Sequence, residues 1–454
     1  MSRWLYDAAM YRFDKPEPSY WESTAATECP VAAPFTGEEQ CDVAIIGGGY
    51  TGLSAAYHLC RDYHLDVRVL EAGHVGWGAS GRNGGFCSIG GEVLGAEQMV
   101  EKFGLDSARS YYAGQVEAVG LVRDLIVQEG IDSPRQGDAE VATAISRRGF
   151  EQLKKHAEFQ FRVLGLDTKV LSAAEFSERY FDSPLQQGGA ALRPTFGLHP
   201  LRYAQGLAVA AERRGAKIHA HSEVVDWSRQ NGRHILRTGS GTVRADRVIV
   251  ATNGFAPEHL HRELRGRVLP MISAIVVTRP LQADELAAHR WQTECPSITS
   301  VSLLNYFRLL PDGRFMFGGR GSANGGGVSA DRNYTKLIAR MHELFPRWRD
   351  IQVDYRWHGL VCMTRKMTPS IGHFADDKST FFAFGYHGNG VNTASWSGKL
   401  VADWLAASSL AATTVPASLP AVVRGMPDRF PVPSLRLAYA QGAIAMRRLA
   451  ERFS

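Results

Sequence analysis

The residues best placed to do chemistry in this chain are glycines. Gly47-Gly48-Gly49-Tyr50-Thr51-Gly52 fits GxGxxG, and an acidic residue, Glu71, stands 19 positions after Gly52. The motif alone is common; its context is not. It follows the apolar run DVAII and opens TGLSAAYHLCRDY, a small-residue stretch with helical spacing. Glu71 ends the next apolar run, LDVRVLEAG. This is the β–α–β setting that a dinucleotide needs. Gly47 permits the tight turn, Gly49 lets the backbone approach the pyrophosphate, and Gly52 allows close helix–strand packing. The helix start at Tyr50 and Thr51 turns N–H groups toward the phosphates. Glu71 accepts from the ribose hydroxyls.

The fingerprint does not separate FAD from NAD. The segment after Glu71 does. VGWGASGRNGG, residues 75–85, resembles the loop with which the D-amino-acid oxidase/glycine oxidase superfamily follows its flavin diphosphate toward the ring. It is most similar to the γ-glutamylputrescine oxidoreductase branch. The resemblance implies that Ala79, Ser80, Arg82 and Asn83 line the cofactor, and that Gly84 and Gly85 let the backbone pass beneath the ring. ADRVIVATNGFA, residues 245–256, is similar to the family's second cofactor strand, with Ala251 and Thr252 at its end. Val224, in the expected strand HSEVVDW, matches the residue that meets the adenine, or is strand core. Gly385-Tyr386-His387-Gly388-Asn389-Gly390-Val391 resembles the family's closing loop, whose N–H groups and helix start lie by the flavin edge that gains negative charge. Gly388, Asn389, Gly390 and Val391 are its cofactor residues. Spacing puts Gly359 where some relatives carry an attachment cysteine, with Cys362 nearby, so the FAD is expected to be non-covalent. The usual acidic residue before the PSIG-like segment is replaced by the neighbourhood of Lys366.

The same resemblance implies a substrate between flavin and an inserted β-rich unit. Arg308, in LNYFRLL, is a candidate partner for a substrate carboxylate, or a structural arginine. Tyr306 and Trp357 are candidate pocket walls, or core. His387 is a candidate for contact with substrate or ring. Flavin supplies the chemistry of amine oxidation, so no residue is required as acid or base, and only His387 and Arg308 stand as catalytic candidates. The expected activity is oxidation of a small amine or amino acid at its C–N bond, with hydride passing to flavin N5. Several relatives carry an oxygen-activating lysine on a strand that here reads LPMISAIVVTRPL; Met271, Ile272 and Ser273 stand there instead. Oxygen and another electron acceptor both remain open. An alternative is a peripheral membrane dehydrogenase feeding quinone, with the basic segment FPVPSLRLAYAQGAIAMRRLAERFS on the membrane surface. Membrane association is not the favoured reading of that tail; a helix packed on the body is.

These segments need a scaffold that brings distant parts of the chain together. The 454 residues are too many for one compact unit. The expected fold class is α/β (α+β): a Rossmann-like FAD-binding domain, discontinuous over 41–95, 190–265 and 355–410, with an inserted antiparallel-sheet substrate domain over 96–189 and 266–354. Residues 1–40 read as an arm over the body and 411–454 as a tail packed on it. The stretch 93–185 looks mostly helical. LNYFRLL and RFMFGG, joined by Pro-Asp-Gly, predict a hairpin. Glycine is over-used, 46 residues or about a tenth of the chain, as close backbone approach to a ligand requires. A net charge of +5 with no basic run gives nucleic acid no footprint. Six scattered cysteines show no metal spacing and read as reduced thiols of a cytoplasmic protein. No secretory signal or run of about 18 apolar residues is evident.

Overall fold

The structure is a computed structural model that describes residues 5–25, 33–90, 93–301, 304–321, 325–408 and 415–442. Two eight-stranded sheets organise it. In the first, the strand Gly37–Ile46 lies between Val67–Leu70 and Gly241–Val250, parallel to both. Lys217–His219 and Thr380–Phe384 extend the parallel array on either side. Covered on both faces, these strands can be continuous apolar runs; Val43 to Ile46 are all buried. The helices Tyr50–Tyr63, Pro200–Arg213 and Gly390–Ala407 pack on the face of Val43 and Ile45. They pack without clearance. A Cβ on Gly52 would stand 2.0 Å from the Gly47 carbonyl oxygen, and one on Gly398 would stand 2.4 Å from that of Thr51.

The second sheet runs in the order Val353–Thr364, Val268–Pro280, Arg314–Arg320, Tyr306–Leu309, Ser297–Thr299, Glu140–Thr143, Gly189–Arg193, Asp167–Leu171. The predicted hairpin forms, with Tyr306 opposite Gly318 and Gly313 at φ 78° in its turn. One face of the sheet is covered by an aromatic core. Phe307, Phe315, Phe317, Trp291, Phe345 and Trp348 meet edge-to-face or stacked, with Phe315 and Trp348 centroids 4.7 Å apart.

Several expectations need correction. The sheet is not purely antiparallel, because Ser297–Thr299 pairs parallel with Glu140–Thr143. Glu140–Thr143 and Asp167–Leu171 are strands inside the stretch read as helical. They are short and flank long amphipathic helices, whose periodicity dominates any window that spans both. Gly189–Arg193 and Val353–Thr364, expected among the nucleotide-binding elements, belong to the second sheet. Val224 lies outside any strand: its segment is pinned by Ser222, whose N–H donates to the Glu71 carbonyl and whose Oγ accepts from Phe35 N. The first strand begins at Gly37, three residues before the expected end of the arm. The tail is held at Arg436, which donates to Glu258 Oε1 at 2.6 Å; its residues 443–454 lie outside the described ones. Among the described residues no helix is long and apolar enough to cross a membrane.

Burial leaves several histidines neutral in the fold. It pushes His58 and His234 down to about 4 and His199 to about 3. The unfolded chain therefore binds protons that the folded one refuses. Stability is full above pH 6.5 and falls as pH drops toward 4, by up to roughly 1.4 kcal/mol per pH unit for each histidine. Urea melts of the protein at steps between pH 7 and 4.5 are expected to show this decline, and a flat profile in that window contradicts it.

Candidate functional site

The two Gly-rich motifs meet in one open cleft, about 1170 Å³ of space when counted out into solvent. Its floor is the turn at Gly47 and Gly49, where Gly47 takes φ 111° and a Cβ would stand 2.8 Å from the Ala251 carbonyl oxygen. A Cβ on Gly49 would meet Ser80 Oγ at 2.8 Å, the same hydroxyl that accepts from Tyr50 N at 3.0 Å. The helix starting at Tyr50 and the one starting at Gly390 both begin at the cleft, and neither has a side-chain N-cap. Their first N–H groups and positive dipole ends suit an anion or a developing negative charge.

Glu71 lines the far end. Its Oε2 accepts from Gly48 N at 2.6 Å and its Oε1 from Gly73 N at 2.9 Å, which leaves lone pairs for a diol. Burial raises its pKa against those amides. Ala79, Ser80 and Asn83 line the cleft, as do Val224, Ala251 and Thr252. Thr252 Oγ1 is buried with no hydrogen-bond partner.

The closing loop is held at Gly385, Tyr386, His387 and Asn389. Gly385 N donates to Asn253 Oδ1, and Tyr386 shares a 2.6 Å hydrogen bond with Thr51. His387 Nε2 accepts from Thr364 N at 3.1 Å, so in the neutral ring Nδ1 carries the proton. That N–H is buried with no partner, and burial holds the ring pKa down at about 4. His387, Gly388 and Gly390 line the cleft. Asn389 does not: its amide donates to Gln115 Oε1 at 3.1 Å and anchors the loop to the helix Leu105–Gln128. Val391 is buried core.

Asn83 lines the cleft as expected, whereas Arg82 does not, and the backbone of residues 82–85 is held from outside. Their four successive carbonyls are all taken from outside: Trp357 Nε1 donates to Arg82 O, Trp21 Nε1 to Asn83 O, Arg308 Nε to Gly84 O and Leu198 N to Gly85 O, at 2.8–3.1 Å. Arg82 turns away from the cleft, 4.0 Å over the Trp77 ring and paired with Glu17 of the arm at 3.2 Å. Gly84 and Gly85 lack side chains because the Tyr306 ring and the Leu198 carbonyl occupy those positions. Trp357 is wholly buried in core with Trp21, not a pocket wall. Arg308, 1% exposed, also donates from Nη1 to Gln136 Oε1 and from Nη2 to Leu198 O. Burial pushes its pKa down to about 9, which leaves it charged at neutral pH. A guanidinium so committed has no fork to offer a substrate carboxylate. Tyr306 does face the region above the loop, its hydroxyl 2.9 Å from Ser273 Oγ.

Other contributors carry no motif. Phe13 of the arm, Trp77 and Phe255 form an aromatic wall, with Phe13 and Trp77 centroids 4.7 Å apart. Trp77 Nε1 also donates to Lys15 O, so the arm covers the loop. The arm's aromatic composition was the available signal. Cys362 lines the cleft with its thiol pushed up to about 12 by burial, whereas Gly359 packs on Arg82. Lys366 points its Nζ at the Arg424 carbonyl and takes no part.

The glycine cradle, the two uncapped helix starts, the carboxylate at the far end and the unpartnered Thr252 and His387 atoms all fit FAD. Arg308→Leu is expected to strip donors from buried carbonyls and destabilise the FAD-loaded protein by roughly 2–4 kcal/mol. A substrate-binding arginine would instead leave the melting midpoint in place and raise only the concentration of substrate needed.

Residues 42–404 match the DAO family, described as FAD dependent oxidoreductase. The chain is 30% identical to the γ-glutamylputrescine oxidoreductase of Escherichia coli over 373 residues, 80% of this chain and 83% of that one. It is 31% identical to a probable oxidoreductase, OrdL, of Haemophilus influenzae over 377 residues, 82% of this chain and 84% of that one. The crystal structure of glycine oxidase from Geobacillus kaustophilus superposes with a TM-score of 0.65 at 22% identity, covering 83% of this chain and 99% of that one. The chain belongs to the DAO family of FAD-dependent oxidoreductases.

Proposed function

We propose that this enzyme oxidises the C–N bond of a small amine with non-covalently held FAD. The observation that carries the reading is the charge of the site. No lysine or arginine is among the residues lining the cleft, its histidine is neutral, and Arg308 is committed to protein carbonyls. Within that lining a substrate carboxylate finds no lysine or arginine, whereas an uncharged amine needs none. The kinship with γ-glutamylputrescine oxidoreductase supports the same substrate class.

Bound FAD supplies a two-electron acceptor at N5. The protein's own part is orientation and exclusion of water. The rings of Tyr306 and Phe86, 5.7 Å apart and edge-to-face, close over Gly84 and wall the space above the loop. The His387 Nδ1–H is a fixed donor for a carbonyl oxygen, held in place by Thr364. The helix starts at Tyr50 and Gly390 favour an anion without any change in protonation. No side chain has to take a proton if the amine arrives neutral.

Ser273 is engaged with Tyr306 and with the Gly319 carbonyl, and no lysine stands on its strand near the cleft, so electrons pass to oxygen or to another acceptor. The five described cysteines are free and buried, which suits a reducing compartment such as the cytoplasm.

A panel of amines and amino acids, mixed anaerobically with the FAD-loaded protein, tests the activity. Amines are expected to bleach the flavin absorbance, and amino acids to do so poorly. If amino acids alone bleach it, the amine assignment is wrong. Admitting air then separates an oxidase, which recolours within seconds, from a dehydrogenase, which waits for an added dye. Acid denaturation is expected to release all flavin into the supernatant; flavin retained in the pellet points to attachment at Cys362.

A further inference from the structure

The second sheet has two faces of different character. Strand register places Ala142 opposite Ile298, Ile298 opposite Tyr306, Tyr306 opposite Gly318 and Gly318 opposite Ile275. Glu140 and Ser273 stand two residues from members of that row and therefore share its face. Their sequence neighbours Val141, Ser297, Phe307 and Ala274 point the other way and are fully buried. Glu140, Ala142, Ile298, Tyr306 and Ser273 are each partly accessible instead, although they sit on inner strands of an eight-stranded sheet. Other members of the same face, Ile275, Val277, Met316 and Arg308, are buried against Trp21 and Trp357; the partly accessible ones border a space that water enters beside that core.

This space adjoins the cofactor loop. A Cβ on Gly84 would meet the Tyr306 ring at 3.0 Å and the Phe86 ring at 3.1 Å. Two residues beyond Phe86, Ser88 donates from Oγ to Glu140 Oε2 at 2.6 Å. Four residues of chain separate Gly84 from Ser88, so the contact lies within about 13 Å of the loop.

Glu140 is the acid of this face, and no described cation pairs with it. Its hydrogen-bond partner is neutral Ser88. Arg308, on the same face, spends its donors on Gly84, Gln136 and Leu198. Arg320, opposite Ser273, stands three strands away and, by register, four residues further along the sheet, roughly 20 Å in all. Burial without a counter-charge raises the Glu140 pKa to about 7. A cation brought by a ligand removes that penalty and gains a charge-assisted hydrogen bond.

We infer that Glu140 is a specificity residue that receives the second, protonated nitrogen of an aliphatic diamine or polyamine whose other nitrogen is presented, neutral, to the flavin. The inference rests on the amine-oxidation reading and narrows it. The two nitrogens divide the work: C–H transfer needs a neutral amine at one end, and the charge at the other end fixes its distance from Ser88 and Glu140.

The test compares 1,5-diaminopentane with pentylamine on the FAD-loaded wild type and on Glu140→Gln, read anaerobically as the concentration that half-bleaches or half-shifts the flavin spectrum. Flavin content and thermal midpoint of the variant confirm that it is folded. The wild type is expected to respond to the diamine at concentrations at least tenfold lower than to the monoamine. Glu140→Gln is expected to erase that preference, and Glu140→Asp to keep part of it. Equal response to both compounds in the wild type, a preference that survives in Glu140→Gln, or no response to either compound overturns the inference. A spectral shift with the diamine, lost in Glu140→Gln but never followed by bleaching, upholds the cation site and removes amine oxidation instead. Bleaching by both amines without a preference does the reverse.

Discussion

The structure turns on four consecutive carbonyls. Between Arg82 and Gly85 each peptide oxygen is taken by a donor from a different part of the chain: a tryptophan of the second sheet, a tryptophan of the arm, the buried Arg308, and the backbone at Leu198. Buried peptide groups must be hydrogen-bonded somewhere. Sending all four oxygens outward fixes how this stretch faces the cleft, and it does so without side chains at Gly84 and Gly85, where the Tyr306 ring and Leu198 leave no room. The arm, the second sheet and the pairing of Phe86–Cys87 with Phe196–Gly197 are thereby tied to one loop. Arg308 is the costliest of these ties. A guanidinium at 1% exposure is tolerable only because all its partners are carbonyl-type oxygens and it also lies over the Trp21 ring at 5.5 Å.

The electrostatics of the cleft follow from what surrounds it rather than from charges within it. Two helices start at its edge without side-chain N-caps, so the positive ends of their dipoles are the positive element. The neutral His387 adds a donor without adding a charge. Dipoles of this kind are fixed before any ligand arrives, and they need no reorganisation when charge develops. The closing loop is kept rigid by Asn253, Thr51, Thr364 and Gln115, each from a separate element. On the other side of the loop, the inner face of the second sheet carries the uncompensated Glu140. The molecule thus separates a region suited to anionic phosphate and flavin from one suited to a cation.

The site was unevenly legible in the sequence. Gly47, Gly49, Gly52 and Glu71 could be read because each answers to a local backbone requirement: a turn, a close approach, a packed helix, a strand end. The closing loop was legible for the same reason. Arg308, Trp357 and Arg82 were legible only as residue types capable of binding. Whether a guanidinium meets a substrate or a peptide oxygen depends on Gln136 and Leu198, more than a hundred residues away. Phe13 and Glu140 carried no motif, because nothing local requires an aromatic in an irregular arm or an acid in a short strand.

The sequence by itself determined the cofactor, the parallel sheet that holds it and the hairpin at Pro311-Asp312-Gly313, since periodicity and glycine placement are local properties. Tertiary structure alone decided which strands belong to which sheet, as with Gly189–Arg193 and Val353–Thr364. It also decided which polar side chains remain available to a ligand. The physical reason is the same in both cases. A strand's partner and a buried donor's acceptor are chosen by long-range register and burial, and every buried donor that finds a protein oxygen is withdrawn from chemistry.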